Sequence, residues 1–174
     1  MARRTLLLAC LLVAAACDDG GGSRTISPSA SPTIAVGQTR CDNLAQAWER
    51  GQRIGGDLRG DVTGDGAEDE VYLLRDPEGG PGCTDLLFVD AGEVVLASEL
   101  SDGRRYALPQ PRLNDLADID GRPGAEIVVD LEQGASTQFV GLFTALAGDL
   151  ERVRLPGEGG IGDLFPYGGS VGHV

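Results

Sequence analysis

The sequence predicts an all-β fold, two four-strand antiparallel meanders preceded by one short N-terminal helix. Three observations predict it. Short apolar runs of strand length recur from Arg53 onward, each closed by Gly, Asp or Pro turn signals. The acidic stretch Asp61-Val62-Thr63-Gly64-Asp65-Gly66-Ala67-Glu68-Asp69 is echoed by Asp118-Ile119-Asp120-Gly121-Arg122-Pro123-Gly124-Ala125-Glu126, displaced by 118 − 61 = 57 residues. The turns Asp90-Ala91-Gly92 and Ala147-Gly148-Asp149 are displaced by nearly as much, 148 − 92 = 56. A spacing held from loop to turn is the mark of a repeated supersecondary unit.

The chain begins with an expected export signal. Arg3-Arg4 supply positive charge, and Thr5 to Ala16 is apolar but shorter than the ~20 residues that span a bilayer. Ala14-Ala15-Ala16-Cys17 resembles the lipobox of bacterial lipoproteins, although Ala14 stands where Leu, Val or Ile is usual. That resemblance implies cleavage before Cys17, a lipid on its sulfur, and a membrane-anchored protein facing outside the cytoplasm. From Asp18 to about Arg40, Gly20-Gly21-Gly22-Ser23 and the Ser/Pro run 27–32 read as a flexible tether. With Cys10 inside the signal and Cys17 lipidated, Cys41 and Cys83 are left to form a disulfide, which persists outside the cytoplasm.

Asp42 to Arg50 reads as the helix, with Leu44, Ala47 and Trp48 on one face and Gly51 to end it. Trp48, the only Trp, is expected to anchor the core. The first meander is expected over Arg53–Leu58, Glu70–Arg75, Thr84–Val89 and Val94–Leu100. The second is expected over Leu113–Ala117, Glu126–Leu131, Thr137–Ala145 and Leu150–Leu155. The expected organisation is thus an export signal at 1–16, a lipidated Cys and tether at 17–40, and one β domain at 41–174 with repeats near 53–100 and 113–155.

The chemistry concentrates in the two acidic loops. Asp61, Thr63 and Asp65 place oxygens at alternate positions, Gly66 makes the turn, and Asp69 adds a last carboxylate. With the carbonyl of Ala67, this is an oxygen set suited to a hard cation such as Ca²⁺. Tyr72 at the twelfth position, and strands on either side, exclude an EF-hand. In the second loop Asp118, Asp120 and Glu126 remain, but Arg122 occupies the place of Asp65. The expectation there is metal-free closure, with Arg122 pairing with Asp118 or Glu126 in place of an ion.

Gly60-Asp61-Val62-Thr63-Gly64-Asp65-Gly66 with Asp69, and Asp118-Ile119-Asp120-Gly121 with Glu126-Ile127-Val128-Val129, resemble FG-GAP/VCBS-type repeats. These are the blade units of integrin-alpha-like β-propellers, and the resemblance covers about residues 53–155. It implies structural Ca²⁺ in the loop between strands, an extracellular setting, and binding rather than catalysis. A closed propeller needs at least about four blades. Two units therefore imply a face-to-face sandwich or a partial propeller.

Composition narrows the partners. The net charge is −13 with no Lys at all, and losing Arg3 and Arg4 makes it −13 − 2 = −15. Nucleic acid and anionic membrane surfaces are excluded as partners, while a protein or glycan partner is left open. Three motifs carry no function. Gly168-Gly169-Ser170-Val171-Gly172 matches a nucleophile elbow, but His173, the only His, lies beside it rather than apart from it. Gly157-Glu158-Gly159-Gly160-Ile161-Gly162 lacks the βαβ setting of a dinucleotide fingerprint. Arg59-Gly60-Asp61 commits its Asp to the loop. The expectation is a lipid-anchored, non-enzymatic envelope binding module with Ca²⁺ in its first loop and no catalytic residues. The alternatives are a metal-assisted hydrolase built on the Asp65 loop and an envelope assembly accessory.

Overall fold

The structure, a computed structural model, describes residues 33–36, 40–100, 110–133, 137–154 and 164–167. The export signal, Cys17, most of the tether and the two glycine-rich motifs after residue 156 lie outside the described residues. No helix among the described residues is long and apolar enough to cross a membrane.

Among the described residues, ten strands and one helix follow in chain order: β1 (Thr33–Val36), α1 (Leu44–Arg50), β2 (Gln52–Gly60), β3 (Asp69–Arg75), β4 (Asp85–Asp90), β5 (Val94–Glu99), β6 (Arg112–Ala117), β7 (Glu126–Gln133), β8 (Gln138–Leu146), β9 (Asp149–Arg152) and β10 (Phe165–Tyr167). The first sheet is ordered β1-β5-β4-β3-β2, and the second β10-β8-β7-β6, with β9 also paired to β8. Every pairing is antiparallel except that of β1 with β5. The fold is all-β, a sandwich of two sheets.

The central strands β3, β4 and β5 of the first sheet are buried on both faces, which is why they read as nearly unbroken apolar runs. Val71, Leu73, Leu87, Val89 and Leu96 point into a core shared with Ile127, Val129, Leu131, Phe143 and Leu150 of the second sheet. The alternate residues Tyr72, Leu74, Leu86, Phe88, Val95 and Ala97 pack beneath Leu44 and Ala47 of α1. Period-two alternation on the strands therefore feeds two cores at once. Trp48 closes the second, its ring 5.7 Å from Tyr72 and 5.6 Å from Phe88. The Cys41–Cys83 disulfide is formed and ties the start of α1 to the β3–β4 connection.

Two features differ from expectation. Thr33-Ile34-Ala35-Val36, inside the stretch read as tether, forms a strand that pairs with Val94–Ala97. The displacement of 57 also holds only in part. Gly60 pairs with Asp69 as Ala117 does with Glu126, and Leu58 with Val71 as Asp115 does with Val128. In the next hairpin Val71 pairs with Val89 but Val128 with Leu142, a displacement of 142 − 89 = 53. The turn spacing recovers because β8 has nine residues and β4 has six.

A buried carboxylate fastens the helix, and the sequence did not single it out. Asp76 is fully buried and accepts from Asn43 Nδ2 at 2.6 Å, Arg50 Nη2 at 3.0 Å and the Glu78 N–H at 3.1 Å. Asn43 thus spends its amide on Asp76 instead of capping the helix. The hydrogen bond from Arg50 is the main cause that holds the Asp76 carboxyl below the usual carboxylate range, against the opposing effect of burial. Asp76→Ala is expected to cost about 2–3 kcal/mol at pH 7, because it removes at once the hydrogen bonds that a buried carboxylate accepts from Asn43, Arg50 and the Glu78 N–H. A folded pKa below the unfolded ~3.9 means this stability is present above about pH 4 and is lost as pH falls through the folded value. Urea melts of both proteins at pH 7 and in stronger acid check this. The gap between them narrows in acid, and a gap independent of pH would contradict the ion-pair origin.

Candidate functional site

Because the strands alternate in direction, the β2–β3 and β6–β7 loops and the β4–β5 and β8–β9 turns gather at one end of the sandwich. Within the β2–β3 loop the carboxylates close on backbone N–H groups. Asp69, only 1% exposed, accepts through Oδ2 from the N–H of Val62 (2.8 Å) and of Thr63 (2.9 Å) and from Thr63 Oγ1 (3.1 Å). Asp61 takes the N–H of Gly64 on Oδ1 at 2.7 Å and that of Gly66 on Oδ2 at 2.9 Å. Asp65, exposed, accepts the Ala67 N–H at 2.7 Å. Charge-assisted bonds of this kind satisfy the donors of a tight turn.

The β6–β7 loop repeats part of this pattern at the same displacement. Glu126, 5% exposed, accepts the Ile119 N–H at 2.8 Å, as Asp69 accepts that of Val62. Asp118 accepts the Gly121 N–H at 2.8 Å, as Asp61 accepts that of Gly64. Here the carboxylates converge: oxygens of Asp118, Asp120 and Glu126 lie within 4.8 Å of one another. Asp61, Asp65 and Asp69 form no such group among the described residues. The proposed substitution of Arg122 for an ion is corrected. Arg122 pairs with neither Asp118 nor Glu126; its Nε lies 3.5 Å from Asp120 Oδ2, on a side chain 72% exposed. The largely exposed guanidinium engages Asp120 alone and leaves Asp118 and Glu126 without it.

The two loops touch through their backbones. The Ala125 N–H donates to the Asp61 carbonyl at 2.8 Å. Gly64 (φ 77°) and Gly124 (φ 97°) make the approach possible, since a Cβ on Gly124 would sit 2.5 Å from the Val62 carbonyl oxygen. A Cβ on Gly64 would sit 2.7 Å from the Pro123 carbonyl.

Around the loops, Arg53 and Arg59 both bind Glu70, at 3.1 and 3.3 Å, and the hydrogen bond from Arg53 is the chief reason its carboxyl is held low. Arg59 also lies 3.7 Å from Glu68. Both charged ends of the Arg59-Gly60-Asp61 tripeptide are therefore engaged within the domain.

On the other side of the β2–β3 loop, a cleft of about 480 Å³ runs between Thr63 and Asp65 and the two hairpin turns. Leu96, Val94 and Ala145 give it an apolar part, and Glu93 and Asp65 line it too. No local motif announces it, because its walls come from three separate chain segments. No protein-family model, curated protein or solved structure matches the chain.

Proposed function

We propose that this chain is an exported, lipid-anchored, non-enzymatic binding module whose loop end is stiffened by Ca²⁺, with the ion in the β6–β7 loop. The convergence of Asp118, Asp120 and Glu126 carries the ion's address. Three carboxylates so close repel one another until a cation joins them. An all-oxygen set with no His or Cys favours a hard ion over zinc. The β2–β3 loop, where Asp61, Thr63, Asp65, Ala67 and Asp69 were expected to hold the ion, satisfies itself with N–H donors and acts as the platform on which the second loop rests. The lipobox-like Ala14-Ala15-Ala16-Cys17 supports the membrane anchor, and the disulfide fits an oxidising compartment. The partner is a protein or glycan outside the cytoplasm. The Thr33 N–H donates to the Glu93 carbonyl at 3.2 Å, so the chain enters β1 at the loop end.

Thermal melting in Ca²⁺ and in EDTA tests the ion. Free Ca²⁺ at ten to a hundred times Kd stabilises by about 1.4–2.7 kcal/mol, a rise of about 5 °C. Asp120→Asn is expected to abolish the rise and Asp65→Asn to keep it. A wild-type melt indifferent to Ca²⁺ refutes the ion, and a rise lost only in Asp65→Asn moves it to the first loop.

A further inference from the structure

We propose that the cleft between the β2–β3 loop and the two hairpin turns is a docking site for a cationic side chain, lysine or arginine, presented by a protein partner. Charge complementarity beside apolar surface points to a cation with an alkyl stem. Leu96 is almost fully buried, and Val94 is 38% exposed, so the apolar part offers methylene-sized apolar contact along which an alkyl stem can lie. Asp65 and Glu93 line the same cleft, together with Thr63. Among the described residues neither carboxylate has an ion-pair partner, whereas Glu70, Asp76 and Asp85 each face an arginine. The cleft lining carries no cation of its own. A carboxylate or phosphate ligand would meet only like charge there, while a net charge of −13 steers cations toward the surface. The volume accommodates one long side chain with its flanking backbone.

This deepens the binding-module reading by naming the ligand chemistry. It stands on residues outside the calcium triad, so the two readings fail separately. The test titrates the isotope-labelled full chain, in EDTA and low salt, with acetyl-Gly-Arg-Gly-amide and acetyl-Gly-Lys-Gly-amide. Acetyl-Gly-citrulline-Gly-amide serves as the neutral counterpart. The cationic peptides are expected to shift the amides of Ala91, Glu93, Ala147 and Gly148, and the citrulline peptide to bind at least about tenfold more weakly. The Asp65→Asn/Glu93→Gln variant keeps the Ala67 hydrogen bond and the side-chain shapes. It is expected to weaken both cationic peptides by about tenfold with its spectrum elsewhere unchanged. Equal binding of the citrulline peptide, shifts confined to other surfaces, no shifts at all, or full affinity in the folded double variant would each overturn the proposal.

Discussion

Replacing Cys41 and Cys83 with alanine is expected to destabilise the domain by about 4 kcal/mol, the value for a cross-link closing a loop of this length. The bridge spans 42 residues of sequence, and that span holds α1, β2, the first acidic loop and β3. Without it, the unfolded chain regains the freedom of the whole segment. The folded state keeps the contacts of Leu44, Ala47 and Trp48, the Asp76 bonds and the exposed Arg50–Glu78 ion pair to hold α1 on the sheet. α1 has only seven residues and no side-chain cap, so it has little stability of its own. At about 2–4 °C per kcal/mol the melting point falls by roughly 10–15 °C. Denaturant melts of the double variant measure this. A loss under about 1 kcal/mol would mean that packing alone fastens the helix and that the cross-link is dispensable.

Gly124→Ala is expected to cost at least about 3 kcal/mol, for two additive reasons. A φ of 97° lies where alanine is strained, and its Cβ would meet the Val62 carbonyl oxygen at 2.5 Å. The obstacle is backbone, so no side chain can rotate out of the way. Relief requires the loops to part and surrender the hydrogen bond from Ala125 to Asp61. Gly66→Ala is the matched control: φ is 85°, but a Cβ there meets nothing within 4 Å. It should cost only about 1 kcal/mol. Equal costs for the two variants would contradict the packing of one loop on the other. Combining Gly64→Ala with Gly124→Ala should give less than the sum, since both open the same contact.

The local pattern made most of the fold legible. The eight strands expected from apolar runs and turns match β2 to β9 to within three residues at each boundary. The helix starts at Leu44, two residues later than expected, with Asn43 as its N-cap residue. What stayed hidden was long-range. β1 is four residues beside Ser/Pro-rich chain, and its partner β5 lies some sixty residues away. Asp76 reads as one more turn aspartate before Pro77, and nothing nearby in sequence reveals Asn43 and Arg50 above it. The second acidic loop was misread at Arg122. A guanidinium at a ligand position suggested ion replacement, yet its stem projects outward, and spacing alone does not tell direction. The first loop has the fuller motif, and its Asp61 and Asp69 also accept from the loop's own N–H groups, which spacing does not display. The cleft needed three segments brought together, which no single stretch of sequence displays.

The central claim is that the converging carboxylates of the β6–β7 loop bind Ca²⁺ while the β2–β3 loop serves as their platform. Backbone amide spectra recorded during a calcium titration test it most directly. The account predicts saturable shifts at Ile119, Gly121 and Arg122, with smaller ones relayed to Asp61 and Gly64, absent in Asp118→Asn/Asp120→Asn. Shifts centred on Val62 to Ala67 that survive in that variant, or no saturable shifts in either loop, would contradict it.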